Sequence, residues 1–301
     1  MNNSWLVVRD ILGYLKRYFI SLAEAYLKSS AFKKFGISDY NKKSDTFFIF
    51  GTGMSINDMR TADFEKIKKY DSYSDGLFNT HSFTTDIYAF ECFHDFNLID
   101  HLSQQEEAQY RPFTSSRYFE AWKKAMSGKL LNGKTKVILT SDTTIRELEL
   151  SENHEMKRFV YKDLKDLMYV YNLMSVSCRT GQSLIFLDLL RKIIPDRLFM
   201  QVRGSISTFI DFAVRRKFAN IVLCGIDLDD AGNFYGSWAP PSGKNGKHWT
   251  SIRQDGIIGI DEYIKFIAKK HKNIHFYTWS AKSRLSAFMD VFSWEKLSSK
   301  G

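Results

Sequence analysis

Cysteine, proline and long apolar runs are all scarce in this 301-residue chain. Its three cysteines, Cys92, Cys178 and Cys224, are odd in number and far apart, which excludes a disulfide scaffold and a C-x-x-C metal site. A reducing compartment fits them, with each thiol read as a small buried hydrophobe. Four prolines set against 15% aromatic and 44% hydrophobic residues exclude extended disorder, because such a chain buries enough surface to offset its ordering entropy. No run of about 18 apolar residues occurs, so a transmembrane helix is not expected. Charges break the N-terminal apolar residues where a cleaved leader would need an unbroken core. Acidic excess is missing too: the formal net charge is +9, spread along the chain. That favours anionic lipid or phosphate-bearing substrates as partners. With no RNA- or DNA-binding module pattern, no nucleic acid is expected.

At ~100–200 residues per domain, the length holds one large domain or two small ones. Residues 1–44 stand apart from the rest. Trp5, Leu6, Val8, Ile11, Leu12, Leu15, Phe19, Leu22, Tyr26 and Leu27 recur at helical spacing, interrupted by Arg9, Lys16, Arg17 and Lys28. Two readings of this amphipathic helical N-terminal segment stay open. It packs on its own domain or on a partner subunit, which admits a homo-oligomer. Otherwise it lies on an anionic membrane surface, in peripheral contact through residues 5–28 on the inner face of the cytoplasmic membrane.

From residue 45 to 301, short apolar runs alternate with helical stretches. Thr46–Phe50 ends at a glycine, Gly76-Leu77-Phe78 ends at Asn79, and Asp86–Phe90 ends at Glu91. Lys136–Leu139, Asn220–Cys224 and Asn273–Tyr277 close in the same way on small or polar residues. Runs of this kind predict buried parallel strands, and 157–174, 181–194, 207–217 and 260–271 carry helical periodicity. The alternation predicts an α/β, doubly wound, mostly parallel sheet whose ligands gather at the carboxyl ends of the strands. Residues 94–134 read as an aromatic-rich lid insertion, and 229–256 as a long functional loop.

Three motifs could carry chemistry. In Phe50-Gly51-Thr52-Gly53-Met54-Ser55-Ile56-Asn57-Asp58 a strand runs into two glycines, and Ser55 with Asp58 has the form of a capping box opening a helix. A phosphate or sugar could meet the free amides there, or the motif is a plain strand-to-helix turn. It is not a dinucleotide fingerprint, since Ile56 stands where the third glycine belongs. In the second, Arg203-Gly204-Ser205-Ile206-Ser207-Thr208 opens a helix that leads to Leu223-Cys224-Gly225-Ile226-Asp227. Small hydroxyl residues at a helix start satisfy its amides or bind a carboxylate or base edge, and Gly225 would let a planar ring lie against the backbone. The third is the loop holding Tyr235, Trp238 and His248, where a histidine off any apolar face can accept a proton from a hydroxyl nucleophile. Asp227, Asp229 and Asp230 form an acidic cluster that reads as solvated, and no H-E-x-x-H pattern occurs. No metal is expected.

Taken in order across residues 46–288, these pieces resemble the bacterial sialyltransferases of glycosyltransferase family 42 and, more distantly, other CMP-sugar enzymes. The matching elements are Gly51-x-Gly53-x-Ser55, the strand ending at Asn79, Gly204-Ser205 and Leu223-Cys224-Gly225-Ile226-Asp227. They continue with Tyr235, His248 and the stretch Phe276–Leu285. The resemblance implies a Rossmann-like domain with a lid. It also implies inverting, metal-independent transfer of sialic acid or a related acidic sugar from a CMP-activated donor to a glycan or lipid-linked acceptor, with no cofactor. Carried onto this chain, Gly51, Thr52, Gly53, Ser55 and Asn79 would hold ribose and cytosine, and Ser205 the sugar carboxylate or base. Gly225, beside Asp227, would back the cytosine. Tyr235 would donate to the departing phosphate, and His248 would deprotonate the acceptor. The chain departs from the family at Thr52, where asparagine is usual, at Asp229 in place of a second tyrosine, and at Glu91 or Cys92, where an asparagine would contact the donor. A catalytically silent nucleotide- or sugar-binding protein on the same fold is the alternative.

Overall fold

Thr46, Phe47, Phe48, Ile49 and Phe50 are all buried, so the strand they form has no solvent-facing side and needs helices on both of its faces. The computed structural model describes residues 3–27, 30–90, 123–130, 135–150, 154–229, 232–234, 243–244 and 246–298. In chain order the elements are α1 (Asn3–Leu27), β1 (Lys33–Lys34), β2 (Thr46–Phe50), α2 (Thr61–Ile67), β3 (Asp71–Asp75), β4 (Ile87–Phe90) and β5 (Val137–Ser141). There follow α3 (Asp142–Leu150), α4 (His154–Arg158), β6 (Met168–Ser175), α5 (Gly181–Arg191), β7 (Leu198–Gln201), α6 (Ser205–Arg215) and β8 (Asn220–Cys224). Next come β9 (Gly243–Lys244) and β10 (Lys247–His248), a separate antiparallel hairpin. The chain continues with α7 (Ile260–Lys270), β11 (His275–Thr278), β12 (Asp290–Val291) and α8 (Trp294–Ser298).

The main sheet runs β1-β6-β5-β4-β3-β2-β8-β11-β12, with β7 also paired to β6. Each of its described pairings is parallel. From β2 the chain leaves toward β3 on one side, and from β8 toward β11 on the other. The winding therefore reverses between β2 and β8, and an open α/β sheet offers its crevice at the carboxyl ends of the strands flanking that reversal. Phe47, Ile49, Tyr73, Leu139 and Tyr171 point to one face and pack against α1, α5, α6 and α7. Tyr73 lies flat on Phe209 of α6 with ring centroids 3.6 Å apart. On the other face Phe48, Phe50 and Val222 meet Phe64 and Ile67 of α2. Farther along that face Tyr88, Phe90, Ile138, Met168 and Val170 meet α3 and α4. Each fully buried aromatic or aliphatic side chain contributes about 1.5–3 kcal/mol. The α/β, doubly wound expectation is met.

Three local expectations are corrected. The second strand is Asp71–Asp75, not Gly76–Asn79, which forms a 3-10 turn entered by Gly76 at φ 52°. Asp-Ser-Tyr-Ser-Asp lacks an apolar run and stays buried because its polar groups are bonded: Tyr40 Oη and the Lys43 and Ser44 amides donate to Asp71. The span 157–174 is helical only to Leu164, and Met168–Ser175 is a strand. A continuous apolar run has no period that tells the two apart. Finally, Ser55 does not cap a helix. Met54–Asp58 is a 3-10 turn with Gly53 before it, and α2 begins only at Thr61.

The N-terminal 44 residues divide at Leu27. Beyond it, Phe32, Phe35, Ile37 and Tyr40 are buried and β1 adds to the sheet beside β6. Helix α1 docks on β6 and α5 through Asp10, Tyr14, Ser21 and Ala25, which are its buried residues. Asp10 pairs with Arg179 at 2.6 Å and accepts from Ser183, while Tyr14 Oη donates to the Cys178 sulfur at 2.9 Å. Among the described residues no helix is long and apolar enough to cross a membrane.

Candidate functional site

At the reversal the loops after β2 and β8 are joined by backbone bonds. The Gly51 N–H donates to the Cys224 carbonyl at 2.8 Å, and the Gly53 N–H to the Gly225 carbonyl at 2.7 Å. This closeness is what the glycines permit. A methyl on Gly51 would stand 2.6 Å from the Gly225 oxygen, and one on Gly53 would stand 2.5 Å from Asp227 Oδ2. Gly225 holds φ 62°, and its bare side meets the Ile56 side chain, where a Cβ would come within 2.5 Å. The position read from sequence as a platform for a planar ring is thus filled on that side by Ile56. Ser55 and Asp227, both expected beside the nucleotide, are bonded to each other: the Ser55 amide donates to Oδ2 at 2.8 Å and its hydroxyl to Oδ1. Burial raises the Asp227 carboxyl above its ordinary range, against the lowering effect of these bonds.

A second arm reaches the same edge from α6. Gly204 at φ 78° turns β7 into the helix, and Ser207 Oγ accepts from the Val202 and Arg203 amides, closing that turn. Ser205 therefore does not cap. Its hydroxyl donates instead to Asp75 Oδ2 at 2.6 Å, linking the helix start to the carboxyl end of β3. Desolvation lifts Asp75 to about 6, although Ser205 and Tyr73 hydrogen bonds pull the other way. Asn79 is buried in the 3-10 turn immediately after Asp75.

The third arm is the β9–β10 hairpin. The His248 N–H donates to the Leu228 carbonyl at 3.1 Å, which ties the histidine to the chain leaving β8 one residue past Asp227. His248 Nδ1 lies 2.7 Å from Thr250 Oγ1, and the Arg203 guanidinium reaches the Thr250 carbonyl at 3.4 Å. The Thr250 methyl is also the nearest group to the open side of Gly204. One chain of contacts therefore runs from Gly51 and Gly53 through Asp227, Leu228, His248 and Thr250 to Gly204, and from Ser205 to Asp75. Burial pulls the His248 imidazole below its ordinary value, against Asp229, so the ring is neutral at pH 7.

Thr52 donates to Asn233 Oδ1 at 2.8 Å, and its carbonyl accepts from Phe234, so Asn233 and Phe234 roof the first loop. The stretch after β11 backs the second, with Ser283 Oγ bonded to the Ile226 carbonyl and the Arg284 amide to that of Asp227. Tyr235 and Glu91 lie outside the described residues, as do most of the 94–134 insertion and much of the 229–256 loop. Sequence reasoning missed Asp75 and Thr250. Asp75 escapes a reading in which the second strand is the apolar run Gly76–Phe78, whereas Thr250 lies only two residues from His248, within reach of its ring. Among the described residues no group of three His, Cys, Asp or Glu side chains could hold a metal ion. A separate cavity between α1 and α3, lined by Glu24, Lys34, Asp142, Arg146 and Asn172, has its charges bonded to one another.

No protein-family profile matches this sequence, and a search of curated proteins gives no match. Among solved structures the chain is similar to the sialyltransferase CstII of Campylobacter jejuni in complex with a substrate analogue, cytidine-5'-monophosphate. The TM-score is 0.38 at 15% identity, over 82% of this chain and 84% of that one. It is similar also to an α-2,3-sialyltransferase of Campylobacter jejuni in apo form, with TM-score 0.40, 14% identity and coverage of 84% and 82%. The monofunctional α-2,3-sialyltransferase Cst-I of that organism gives 0.37, 13%, 84% and 82%.

Proposed function

We propose that the protein is a glycosyltransferase that moves sialic acid or a related acidic sugar from a CMP-activated donor to a glycan acceptor, with inversion and without a metal. One observation carries the reading. Separated stretches, Gly51–Ser55, Ser205, and Gly225–Leu228 with His248, converge on the carboxyl edge where the sheet reverses, the position at which an α/β sheet binds a nucleotide.

In this reading the loops after β2 and β8 hold the ribose and base, with Asn79 beside them. Ser205 gives its proton to Asp75, so its oxygen accepts, which suits the amino edge of a cytosine or a ribose hydroxyl better than a carboxylate. His248 is the general base. Nδ1 accepts from the Thr250 N–H at 3.3 Å and faces Thr250 Oγ1 at 2.7 Å, so Nε2 takes the acceptor's proton only in the tautomer in which Nδ1 releases the amide and donates to Oγ1. The neutral ring favoured by burial is the form a base needs. As the bond from the anomeric carbon to phosphate breaks, charge grows on CMP, and Tyr235 with nearby amides would stabilise it.

The test is CMP release in the presence of candidate galactoside acceptors, measured for wild type and His248→Ala beside CMP binding by calorimetry. The expected result is a loss of about 10²–10⁴-fold in turnover with CMP affinity retained. Unchanged turnover in His248→Ala overturns the base assignment. Binding without any turnover indicates the silent binding protein, and thermal stabilisation by NAD(P) but not CMP overturns the donor class.

A further inference from the structure

Helix α1 turns the wrong way round for a helix that merely covers a core. Its buried side carries Asp10, Tyr14, Ser21 and Ala25. The opposite side exposes Trp5 (57%), Val8, Leu12 (60%), Phe19 (63%) and Tyr26, spaced by three, four and seven residues along one stripe. Phe186 of the adjoining α5 stacks on Tyr14, and Ile185, Leu189 and Ile193 continue the exposed apolar surface at four-residue steps. Of the 14 exposed large hydrophobics among the described residues, 10 belong to these two neighbouring stretches, so the exposed apolar surface is concentrated in one place.

The charges identify what would cover it. Both acids of α1 are turned inward and neutralised, Asp10 by Arg179 and Glu24 by Arg146. The charged side chains it leaves exposed are Arg9, Lys16 and Arg17, all positive. A second copy on this face would bring basic side chains against basic ones. An anionic bilayer offers acyl chains to the stripe and headgroup charge to Arg9 and Lys16 at its border, and Trp and Tyr suit the boundary between them.

We infer that α1, extended by α5, is an in-plane membrane-binding face for anionic lipid. The helix, about 37 Å long, lies flat and does not cross. Its N-terminal half docks at Arg179, past the carboxyl end of β6, while Ser21 reaches back to Leu173 within the strand. The helix thus runs antiparallel to β6, and its Trp5 end shares the sheet edge that carries His248. A bilayer there would lie beside the candidate site. The lipid inference holds whatever reaction that site performs.

The experiment is flotation of the full chain with phosphatidylcholine vesicles containing about one-fifth phosphatidylglycerol, beside vesicles of phosphatidylcholine alone. Binding is expected to the anionic vesicles and to weaken with salt. Leu12→Asp/Phe19→Asp should abolish it, and Arg9→Glu/Lys16→Glu/Arg17→Glu should reduce it by roughly a hundredfold or more. All five positions are exposed, so the melting temperature should not move. A chain that ignores anionic vesicles, or a Leu12→Asp/Phe19→Asp variant that binds undiminished, overturns the inference. A dimer that the same double variant splits, with no vesicle binding, overturns it in favour of a second copy.

Discussion

Two buried polar clusters in this molecule use the same residue type to opposite ends. Behind the sheet, Arg191 lies buried among Asp188, Asp211 at 2.5 Å, the Tyr263 hydroxyl at 3.1 Å and His271 at 3.3 Å. Burial pushes the Asp188 carboxyl upward, but the His271 hydrogen bond and the Arg191 charge hold it below the usual range. At the carboxyl edge, Asp75 is bonded to the Ser205 hydroxyl, and Asp227 to the Ser55 hydroxyl and amide. Hydroxyls solvate a carboxylate less well than a guanidinium does, and both acids are raised. A carboxylate matched by a cation is a structural brace. One held away from water without a cation costs stability and stays responsive to an incoming ligand, which is the pattern expected of a site.

The comparison breaks most sharply at Arg191. Replacing it with methionine strands two buried acids, and Arg191→Met should lose about 3–5 kcal/mol in denaturant unfolding at pH 7. Gly53→Ala forces a methyl against Asp227 and the Gly225 carbonyl, and should cost about 1–3 kcal/mol. That loss, read by the same unfolding measurement, would show the two loops to be as tightly fitted as the core. Asp75 sharpens the contrast with the opposite sign. Its folded value near 6 exceeds the unfolded value near 3.9, so the native state binds the extra proton between them and stability falls as pH rises from about 4 to 6. Asp75→Asn should therefore stabilise the protein by about 1–2 kcal/mol at pH 7 and by nothing at pH 4, in thermal melts across that range. Asp188 behaves conversely: its contribution is present above about pH 4 and lost on acidification. The smallest effect is expected at the roof of the first loop, where Thr52→Val removes one bond to Asn233 and should cost about 0.5–1.5 kcal/mol.

How much of this could be read beforehand follows from which interactions are local. The strands β2, β4, β5, β8 and β11 announced themselves because their apolar runs end abruptly at polar or glycine residues. β3 was hidden, since a strand of Asp, Ser and Tyr becomes buried only once distant groups bond to it. β6 was hidden for the reverse reason, as its apolar run merges with that of the helix before it. Ser55 looked like a cap and Gly225 like a platform. Each has a partner in the fold, Asp227 and Ile56, that no local pattern names.

By itself the sequence determined the α/β class, the short strands with glycine and hydroxyl residues at their ends, and an N-terminal helix with one apolar stripe, because periodicity and turn chemistry act within a few residues. Only the tertiary structure decided that the winding reverses between β2 and β8, that α1 turns its apolar stripe outward, and which polar groups meet. Ser55 and Asp227 are 172 positions apart and Ser205 and Asp75 are 130 apart, so their bonds exist only once strand order has brought those ends together.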